Sequence, residues 1–497
     1  MLCSRTILRR RASRRSNSSA NMVRWPTQAV FARECRLSWK ESGDNNMQND
    51  AIPRIVEAFE QASMLPEDLN LESPEMKTIL DFLPETRRNT FLAMAKDPDV
   101  RKMSAVFNRG LGKYWKTLLS ARDSGKKVAF VPFNFSPEIF HALDIIPVCV
   151  EVLTTMALPL EEGIEGYLDL SVERGLPDTM CSAQRGVIGL FEAGVLEKPD
   201  LLVNGALGSC DPNSKAFEYM AEKFDIPVLY LDIPYYSDKR ALDYYAKGFK
   251  DVVAAIQQMT GAKLKADRLR EVVENTNKAS ELFYEIAELK KNIPNPVPNY
   301  YNMHHTGAKL TMAGTMDAIE YYQTALAICK ERLKQGKHVL PRENIRLFFI
   351  YTPYYFDNSI YSWFQEEIGV SWIMDVLNAF DFNPFIDTSS VDSMLYGLAE
   401  EMFNLPMTRQ LKGGWNAPDN WLFDVLYYVK TYKADCCVFS GHTACKQAWG
   451  VYRLVADEVK RQLGVPSLRL EGDGWDSRIT PMSVIKEQFE EFFATIL

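Results

Sequence analysis

Short apolar runs, each followed by a polar or proline-containing turn and then by a helical stretch, recur through most of this 497-residue chain. Runs of this length between turns are typical of strands that are buried on both faces. Because strands that alternate with helices build parallel sheets, the pattern limits the folds that the chain can adopt. The runs are Val128–Val131, Leu201–Asn204, Val228–Leu231, Arg346–Tyr351, Cys436–Ser440 and Ser467–Leu470.

The runs fall into two series, which predicts the same architecture twice. We expect an α/β protein with two doubly wound, Rossmann- or flavodoxin-like domains, each with a parallel sheet, plus helical N-terminal and connecting elements. Long amphipathic helices are predicted at Lys263–Lys291 and Met316–Gln335, with the domain boundary near Gly336–Glu343. The predicted regions are a tail at 1–46, a helical N-terminal region at 47–125, a first α/β domain with long helices at 126–338 and a second α/β domain at 339–497.

The first 46 residues differ in composition from the rest of the chain. Arginine and serine are frequent there, and the first acidic residue is Glu34. Such a stretch is typical of a mitochondrial-type targeting peptide, but it also fits an upstream translation start, with the folded protein beginning near Met47. We favour the second interpretation, and under either one we expect this Arg-rich tail to be disordered.

Charge, apolar runs and cysteine content exclude several classes of function. The chain has 57 basic and 65 acidic residues and a formal net charge of −8, so it offers no broad basic face for nucleic acid. The longest apolar run, near Ile145–Leu160, is interrupted by Pro147, Glu151 and Pro159 and does not predict a membrane span. Nine cysteines without a secretory signal predict reduced thiols in a cytoplasmic protein, where spaced cysteines point to metal binding or catalysis.

Chemically useful side chains follow the predicted strands. In open parallel sheets, ligands bind beyond the carboxyl ends of the strands, where the loops gather. Cys210 follows the second run and Cys445 follows the fifth, whereas Cys181 lies in a turn-like segment ahead of a predicted helix at Ser182–Ala193. We therefore expect the three cysteines to meet at this edge, together with His442 and several carboxylates.

The three cysteines have the chemistry of metal ligands. Thiolates are soft ligands that suit zinc or iron–sulfur clusters. The intervals of 29 and 235 residues between Cys181, Cys210 and Cys445 are too long for a zinc ribbon, so the tertiary fold would have to assemble a shared metal across two lobes. The alternative is that a cysteine is a small buried hydrophobic residue. That alternative fits the cysteines inside apolar runs or a helix, which are Cys149, Cys329, Cys436 and Cys437.

Short segments around the three cysteines share a pattern with a known family. The segments are Ser136–Pro147, Asp178–Cys181, Gly208–Asp211, Gly441–Lys446, Gly464–Asp473 and Asp476–Arg478. Together they resemble the large iron–sulfur subunit of the 2-hydroxyacyl-CoA dehydratase and benzoyl-CoA reductase family. The first matches its P-E-L-I-x-A-x-G-x-x-P motif, the next two its first cluster cysteines and the others its C-terminal signature. The likeness runs from about Lys113 to Leu497, and Asp144 stands where the family usually has Gly, which predicts a changed turn.

The resemblance implies a subunit of an oxygen-sensitive, anaerobic enzyme that binds a [4Fe–4S] cluster through Cys181, Cys210 and Cys445. Three protein ligands leave one iron free to act as a Lewis acid on a substrate oxygen. The resemblance also implies a homologous second subunit and a separate ATP-hydrolysing iron–sulfur activator, so that ATP is not used by this chain. One electron from the activator would turn the CoA thioester into a ketyl radical anion, from which a dehydratase eliminates water to give an enoyl-CoA.

Glu138, Ser136 and His442 are the candidate catalytic residues, and each has a structural alternative. Glu138 is placed for proton transfer, or it complements the positive end of a helix. Ser136 binds substrate, or it caps that helix, which is the commoner role. His442 donates to substrate or to a cluster sulfur, and we favour the sulfur. Lys446 meets the thioester or the CoA phosphates, or it is simply solvated.

The leading hypothesis is therefore a subunit of a 2-hydroxyacyl-CoA dehydratase. The alternative within the family is a benzoyl-CoA reductase-type subunit that reduces an aromatic acyl-CoA, because the ligand set does not separate the two. A third hypothesis is a non-catalytic subunit that carries an electron-relay cluster or a structural zinc. We expect Tyr351–Phe356 and a lid around His304 and His305 to line the acyl pocket, and Asp473 and Asp476 to stabilise their loop.

Overall fold

The computed structural model describes residues 51–66, 68–83, 85–157, 164–207, 209–337, 342–378, 383–409 and 417–497. The predicted tail at 1–46 lies outside the described residues, as do Gly208 of the second cysteine segment and residues 338–341 at the predicted domain boundary. Within the described ranges, no helix is both long and apolar enough to cross a lipid bilayer.

Eight strands form two four-stranded sheets in the described part of the chain, and all paired strands are parallel. The strands are β1 Lys127–Val131, β2 Ile145–Cys149, β3 Leu201–Asn204, β4 Val228–Tyr230, β5 Ile345–Phe349, β6 Val370–Asp375, β7 Cys436–Phe439 and β8 Ser467–Arg469. The first sheet has the order β2-β1-β3-β4, and the second has the corresponding order β6-β5-β7-β8. The predicted α/β fold with two parallel sheets is confirmed. Below, each sheet and its helices are called the first and the second lobe.

Helices build the N-terminal region and connect the strands. The helices are α1 Ala51–Ser63, α2 Pro74–Phe82, α3 Glu85–Ala95, α4 Pro98–Leu119, α5 Glu138–Ala142, α6 Val150–Ala157, α7 Glu165–Glu173, α8 Ser182–Glu192, α9 Asp211–Phe224, α10 Lys239–Thr260, α11 Ala266–Leu289, α12 Tyr300–Met312, α13 Met316–Lys334, α14 Ser359–Trp363, α15 Val391–Asn404, α16 Pro406–Arg409, α17 Ala417–Thr431, α18 Lys446–Leu463 and α19 Met482–Ala494. A π-helical turn, Phe364–Ile368, follows α14. The two predicted long helices are confirmed as α11 and α13, with slightly shorter bounds.

The structure contains two strands that the sequence pattern does not predict, β2 and β6. Strand β2 continues directly into α6, so no turn separates its apolar run from the helix. It lies at the edge of its sheet, where a strand tolerates Pro147. Asp144, just before β2, has a φ of 56°, the left-handed conformation that glycine favours. Asp144 therefore adopts a conformation that glycine would also favour, and the changed turn expected at this position stays a prediction.

Successive residues of a strand face opposite sides of its sheet, and in this structure they belong to different cores. Phe130 of β1 and Phe348 of β5 belong to one core that the two lobes share. Val131 faces a second core, which includes residues of α10, α11 and α15. Phe349 faces a third core, with residues of α14 and α19. Because apolar residues of both sheets meet in the shared core, packing there holds the lobes together.

The segment that carries His304 and His305 is the buried helix α12. The ring of His304 stacks on Phe107 with centroids 4.3 Å apart, and that of His305 stacks on Phe283 at 4.4 Å. Burial lowers the pKa of His304 to about 3, so its imidazole is neutral near pH 7. The interpretation of this segment as a lid is wrong, because ring stacking and burial hold the helix in the core.

The loops that follow β7 and β8 are joined to each other. An isolated parallel bridge pairs His442 with Gly472. Gly441 precedes this bridge with a φ of 61°, and a Cβ at this position would lie 1.7 Å from the carbonyl oxygen of Leu470. Only glycine therefore fits where the chain leaves β7 and positions His442.

We expect Gly441→Ala to destabilise the protein, because alanine is strained at this φ and its Cβ meets the Leu470 carbonyl. The left-handed conformation alone costs about 1–2 kcal/mol, so the free energy of unfolding should fall by about 2 kcal/mol or more. Gly450→Ala is the matched control, because Gly450 lies in α18 with no atom within 4 Å of an added Cβ. The free energy of unfolding of this variant should rise by about 0.5–1 kcal/mol. Denaturant unfolding followed by circular dichroism measures both, and equal stabilities would contradict the expectation.

Candidate functional site

The three predicted cysteines share one structural position, because each is the N-cap residue of a helix. Cys181 precedes α8, Cys210 precedes α9 and Cys445 precedes α18, and all three are partly buried. The positive end of the helix dipole favours a thiolate at a helix N-terminus. The fold therefore provides three helix ends that favour a thiolate.

Direct contacts bring these helix ends together. His442, in the loop before α18, has Nε2 3.1 Å from Sγ of Cys181. Gln447, in the first turn of α18, donates a hydrogen bond of 3.2 Å to Asp211 at the start of α9. Burial raises the pKa of the Cys210 thiol well above its usual value, and the other two cysteines raise it further. The structure thus brings the three cysteines into one neighbourhood.

A carboxyl group that the sequence analysis does not identify lies between two of these helices. Glu151, near the start of α6, accepts hydrogen bonds from Gln184 of α8 and from Asn213 of α9, each the third residue of its helix. It also accepts from the Cys149 thiol at 3.2 Å and from the Phe133 N–H at 3.1 Å. Burial raises the pKa of Glu151 from 4.5 to about 7. A carboxyl group of this kind exchanges its proton near neutral pH, as a general acid or base must.

His442 is held by a carboxylate that contacts both lobes. Its Nδ1 lies 3.1 Å from Oδ2 of Asp473. Asp473 also accepts from the hydroxyl of Ser182, which follows Cys181, and from two backbone N–H groups of its own loop. Burial opposes the charged imidazole, but the negative charges of Asp473 and Cys181 raise the pKa of His442 well above its usual value. With Nδ1 facing Asp473, the ring directs its Nε2 toward the Cys181 sulfur.

Aromatic side chains of the second lobe lie next to the cysteines. Tyr351, two residues after β5, donates its hydroxyl proton to Sγ of Cys445 at 2.9 Å. The rings of Tyr355 and Trp475 have centroids 4.9 Å apart, and Trp475 lies 5.2 Å from the ring of His442. The segment that the sequence predicts as pocket lining therefore reaches the candidate site at Tyr351 and Tyr355.

Two of the candidate catalytic residues lie in a separate polar cluster. Glu138 is 1% exposed and accepts from Ser136 at 2.7 Å and from Thr276 of α11 at 3.2 Å. Lys309 of α12 has Nζ 3.9 Å from Glu138 and 3.9 Å from Glu401 of α15. These contacts join α5 to three other helices. A catalytic role for Glu138 and Ser136 stays a prediction. The alternative that Ser136 caps the helix is wrong, because Pro137 is the N-cap residue of α5 and the Ser136 hydroxyl donates to Glu138 instead.

Four other residues singled out from the sequence have simple surroundings. Lys446 is exposed at the start of α18. Asp476 is buried and pairs with Arg478 at 2.9 Å, as expected for a residue that stabilises its loop. Cys436 and Cys437 are both fully buried in β7 and face different cores. The interpretation of this pair as strand core agrees with the structure.

The site offers three thiols, the donor type that iron–sulfur clusters and zinc use. Among the described residues, no group of three or more His, Cys, Asp or Glu side chains is arranged to hold a single metal ion. Thiolates on one zinc ion must all lie about 2.3 Å from it, which packs the sulfurs tightly. Thiolates of a cluster bind different irons and stand further apart. The three thiols of this site are neighbours, are partly buried and lie on separate helix ends, so their donor type is compatible with a cluster.

The chain matches the family described as 2-hydroxyglutaryl-CoA dehydratase, D-component, over residues 132–496. This span includes the three cysteines, Glu151 and His442. The chain therefore belongs to this family, and the membership predicted from the cysteine segments is confirmed.

Three curated relatives are similar to the chain. It is 23% identical to a benzoyl-CoA reductase subunit of Thauera aromatica, over 80% of this chain and 96% of that protein. It is 21% identical to the (R)-phenyllactyl-CoA dehydratase alpha subunit of Clostridium sporogenes, over 72% of this chain and 87% of that protein. It is 23% identical to the lactoyl-CoA dehydratase alpha subunit of Anaerotignum propionicum, over 49% of this chain and 62% of that protein. The relatives thus include dehydratase and reductase subunits.

The raised pKa of Glu151 predicts a pH-dependent stability. The folded protein holds this proton up to about pH 7, whereas the unfolded chain releases it near pH 4.5, so the free energy of unfolding falls as the pH rises between these values. The fall is about 1.4 kcal/mol per pH unit and about 3 kcal/mol in all. Because Glu151→Gln removes this titration, we expect the melting temperature of the variant to fall less than that of the wild type as the pH rises from 5 to 7.

Glu487→Gln, an exposed substitution in α19, is the control for that comparison. Its melting temperature should follow the wild type at each pH, because Glu487 does not contact the buried carboxyl. Parallel curves for Glu151→Gln and the wild type would show that Glu151 does not hold its proton in the folded state.

Proposed function

We propose that this chain is the iron–sulfur subunit of a 2-hydroxyacyl-CoA dehydratase, which eliminates water from a 2-hydroxyacyl-CoA to give an enoyl-CoA. The observation that carries the proposal is the convergence of Cys181, Cys210 and Cys445 at three helix starts from two lobes. Membership of the dehydratase family and the dehydratase alpha subunits among the relatives support the reaction class.

In this proposal the three thiolates hold a [4Fe–4S] cluster. Soft thiolates are the usual ligands of such clusters, and the positive end of each helix dipole offsets part of the cost of burying a thiolate. When bound, the cluster supplies low-potential one-electron chemistry and an iron without a protein ligand that acts as a Lewis acid on a substrate oxygen. The contacts of the cysteines with His442 and Tyr351 support this assignment, because donors to sulfur are typical surroundings of a cluster.

We assign proton transfer to Glu151. Elimination of water requires a group that takes a proton from the substrate carbon next to the hydroxyl-bearing one. Glu151 lies between the helices that Cys181 and Cys210 cap, and Gln184 and Asn213 hold its carboxyl group in place. Its pKa of about 7 allows it to take up and release a proton at neutral pH. Glu138, in contrast, has its polar contacts with other helices.

His442 orients the site in this proposal and does not react. Its Nδ1 faces Asp473, which fixes the direction of the ring, and its Nε2 faces Cys181. An imidazole held in this way supports the interpretation that His442 donates to a cluster sulfur. The contact of Asp473 with Ser182 keeps the ring and the Cys181 helix in register across the lobes.

An aromatic acyl-CoA reductase is the second candidate. The similarity to the benzoyl-CoA reductase subunit covers 96% of that relative. The cysteines and Glu151 would serve both reactions, because each needs one electron at a time and a proton. The difference lies in the acyl group: a reductase leaves electrons in the aromatic ring, whereas a dehydratase expels the hydroxyl group. A non-catalytic relay subunit is the third candidate.

We also propose that the chain acts in the cytoplasm with a homologous second subunit and a separate ATP-hydrolysing iron–sulfur activator. The relatives are themselves named as subunits, of a reductase and of dehydratases, which supports an assembly with a partner subunit. In this scheme the activator uses the ATP and delivers the electron, and the chain binds the CoA thioester.

Loss of a cluster ligand should remove the cofactor. We expect the anaerobically purified chain to contain about four irons and as much acid-labile sulfide. Cys181→Ala, Cys210→Ala and Cys445→Ala should each lose both, because two thiolates do not retain the cluster. Cys437→Ala is the matched control and should keep both, since Cys437 is a fully buried core residue. Zinc without sulfide in the wild type would contradict the cluster, and loss of iron from Cys437→Ala would contradict the ligand set.

The substrate class is tested with the complete system. We expect the chain, with its partner subunit, activator and ATP, to convert a 2-hydroxyacyl-CoA into an enoyl-CoA, as measured by mass spectrometry of the thioesters. Turnover of benzoyl-CoA alone would instead establish the reductase. No turnover of either thioester by a fully loaded enzyme would favour the relay. Omission of ATP is the control and should abolish either reaction, because the electron then does not reach the site.

A further inference from the structure

Two of the three cysteines are paired with side-chain donors from the second lobe. The Nε2 atom of His442 lies 3.1 Å from the sulfur of Cys181, and the hydroxyl group of Tyr351 donates to the sulfur of Cys445 at 2.9 Å. Both donors are almost fully buried. The histidine contact is expected from the sequence, whereas the tyrosine contact is not.

We propose that Tyr351 is a positioning residue that raises the reduction potential of the cluster through its hydrogen bond to Cys445. The inference rests on the proposed cluster and deepens it. A hydrogen bond to a thiolate withdraws charge from the sulfur, and this stabilises the reduced cluster, which carries one more negative charge, more than the oxidised one. The potential is therefore higher with the hydroxyl group than without it.

The surroundings of Tyr351 hold its hydroxyl group on the sulfur. Its ring lies between Trp421 and Phe439, with centroid distances of 5.8 and 6.0 Å. The preceding residue, Ile350, donates its N–H to Val438 of β7 at 2.8 Å, which extends the sheet up to the tyrosine. A phenol is ordinarily protonated at neutral pH, so the hydroxyl group has a proton to donate to the sulfur.

The donors make the three sulfurs unequal. Cys181 and Cys445 face His442 and Tyr351, whereas in the part of the chain that the structure describes no side-chain donor is paired with Cys210. Cys210 lies on the side of Glu151, whose carboxyl group accepts from the Asn213 side chain at the start of the same helix. The sulfurs of Cys181 and Cys445, from which the donors withdraw charge, face the second lobe.

The test compares Tyr351→Phe with Tyr354→Phe in the full-length, cluster-loaded chain. The first change removes only the hydroxyl group on Cys445. The second removes a buried hydroxyl group of the same loop that donates to the Ser440 carbonyl at 2.7 Å and not to a sulfur. A redox titration followed by electron paramagnetic resonance measures the potential, and iron and sulfide analysis confirms equal loading. Resonance Raman spectra report the Fe–S(Cys) stretch.

We expect Tyr351→Phe to have about a tenfold lower ratio of reduced to oxidised cluster at a fixed solution potential, which corresponds to about 59 mV for a one-electron couple. Its Fe–S(Cys) stretch should shift, because the sulfur loses a donor. Tyr354→Phe should match the wild type in both. An unchanged potential in Tyr351→Phe, or loss of its iron, would overturn the tuning role. Absence of iron and sulfide from the wild type would instead overturn the proposed function, and this inference with it.

Discussion

The buried carboxylate of Asp473 is the interaction on which the site depends. It accepts from Ser182 in the first lobe and faces His442 in the second, so one group ties the helix behind Cys181 to the loop before Cys445. Removing one partner of a buried charged network typically costs about 3–5 kcal/mol, because the remaining groups lose their partners. The shared apolar core brings the lobes together, and this polar contact sets how their loops meet. The spacing of the three sulfurs follows from both.

The fold was predictable where turn residues separate its elements. All six predicted strands are present, because each apolar run ends at a polar or proline-containing turn. Strand β2 was not predicted, because Cys149 is followed directly by Val150 of α6. The strand and the helix therefore form one continuous apolar run in the sequence. The lid was a wrong prediction for a related reason. Prolines and Gly307 suggest a loop, yet Phe107 and Phe283, on which the rings of His304 and His305 stack, are distant from α12 in sequence.

The candidate site was predictable as far as its chemistry depends on loop position. Cysteines in polar loops after strands differ from cysteines inside strands, and this separated Cys210 and Cys445 from the pair in β7. Glu151 was not identified, although it is the charged residue that interrupts the longest apolar run. Burial raises the pKa of Glu151, and hydrogen bonds from Gln184 and Asn213 hold its carboxyl group in place. Gln184 and Asn213 are both distant from Glu151 in sequence. Glu138 lies in the segment that resembles a family motif, but its hydrogen-bond partners are Ser136 and Thr276.

The two lobes contribute different properties to the same site. The first lobe supplies Cys181, Cys210 and the buried carboxyl group of Glu151, whereas the second supplies Cys445, His442 and Tyr351. Hydrogen bonds weaken steeply with distance and angle. A shift between the lobes would therefore change the spacing of the ligands and the contact of His442 with Cys181 at once. In the proposed function, one arrangement determines both, so a movement of the lobes would change the electron affinity of a bound cluster together with its retention. The hydrogen bond of Tyr351 to Cys445 would not change with such a movement, because both residues belong to the second lobe.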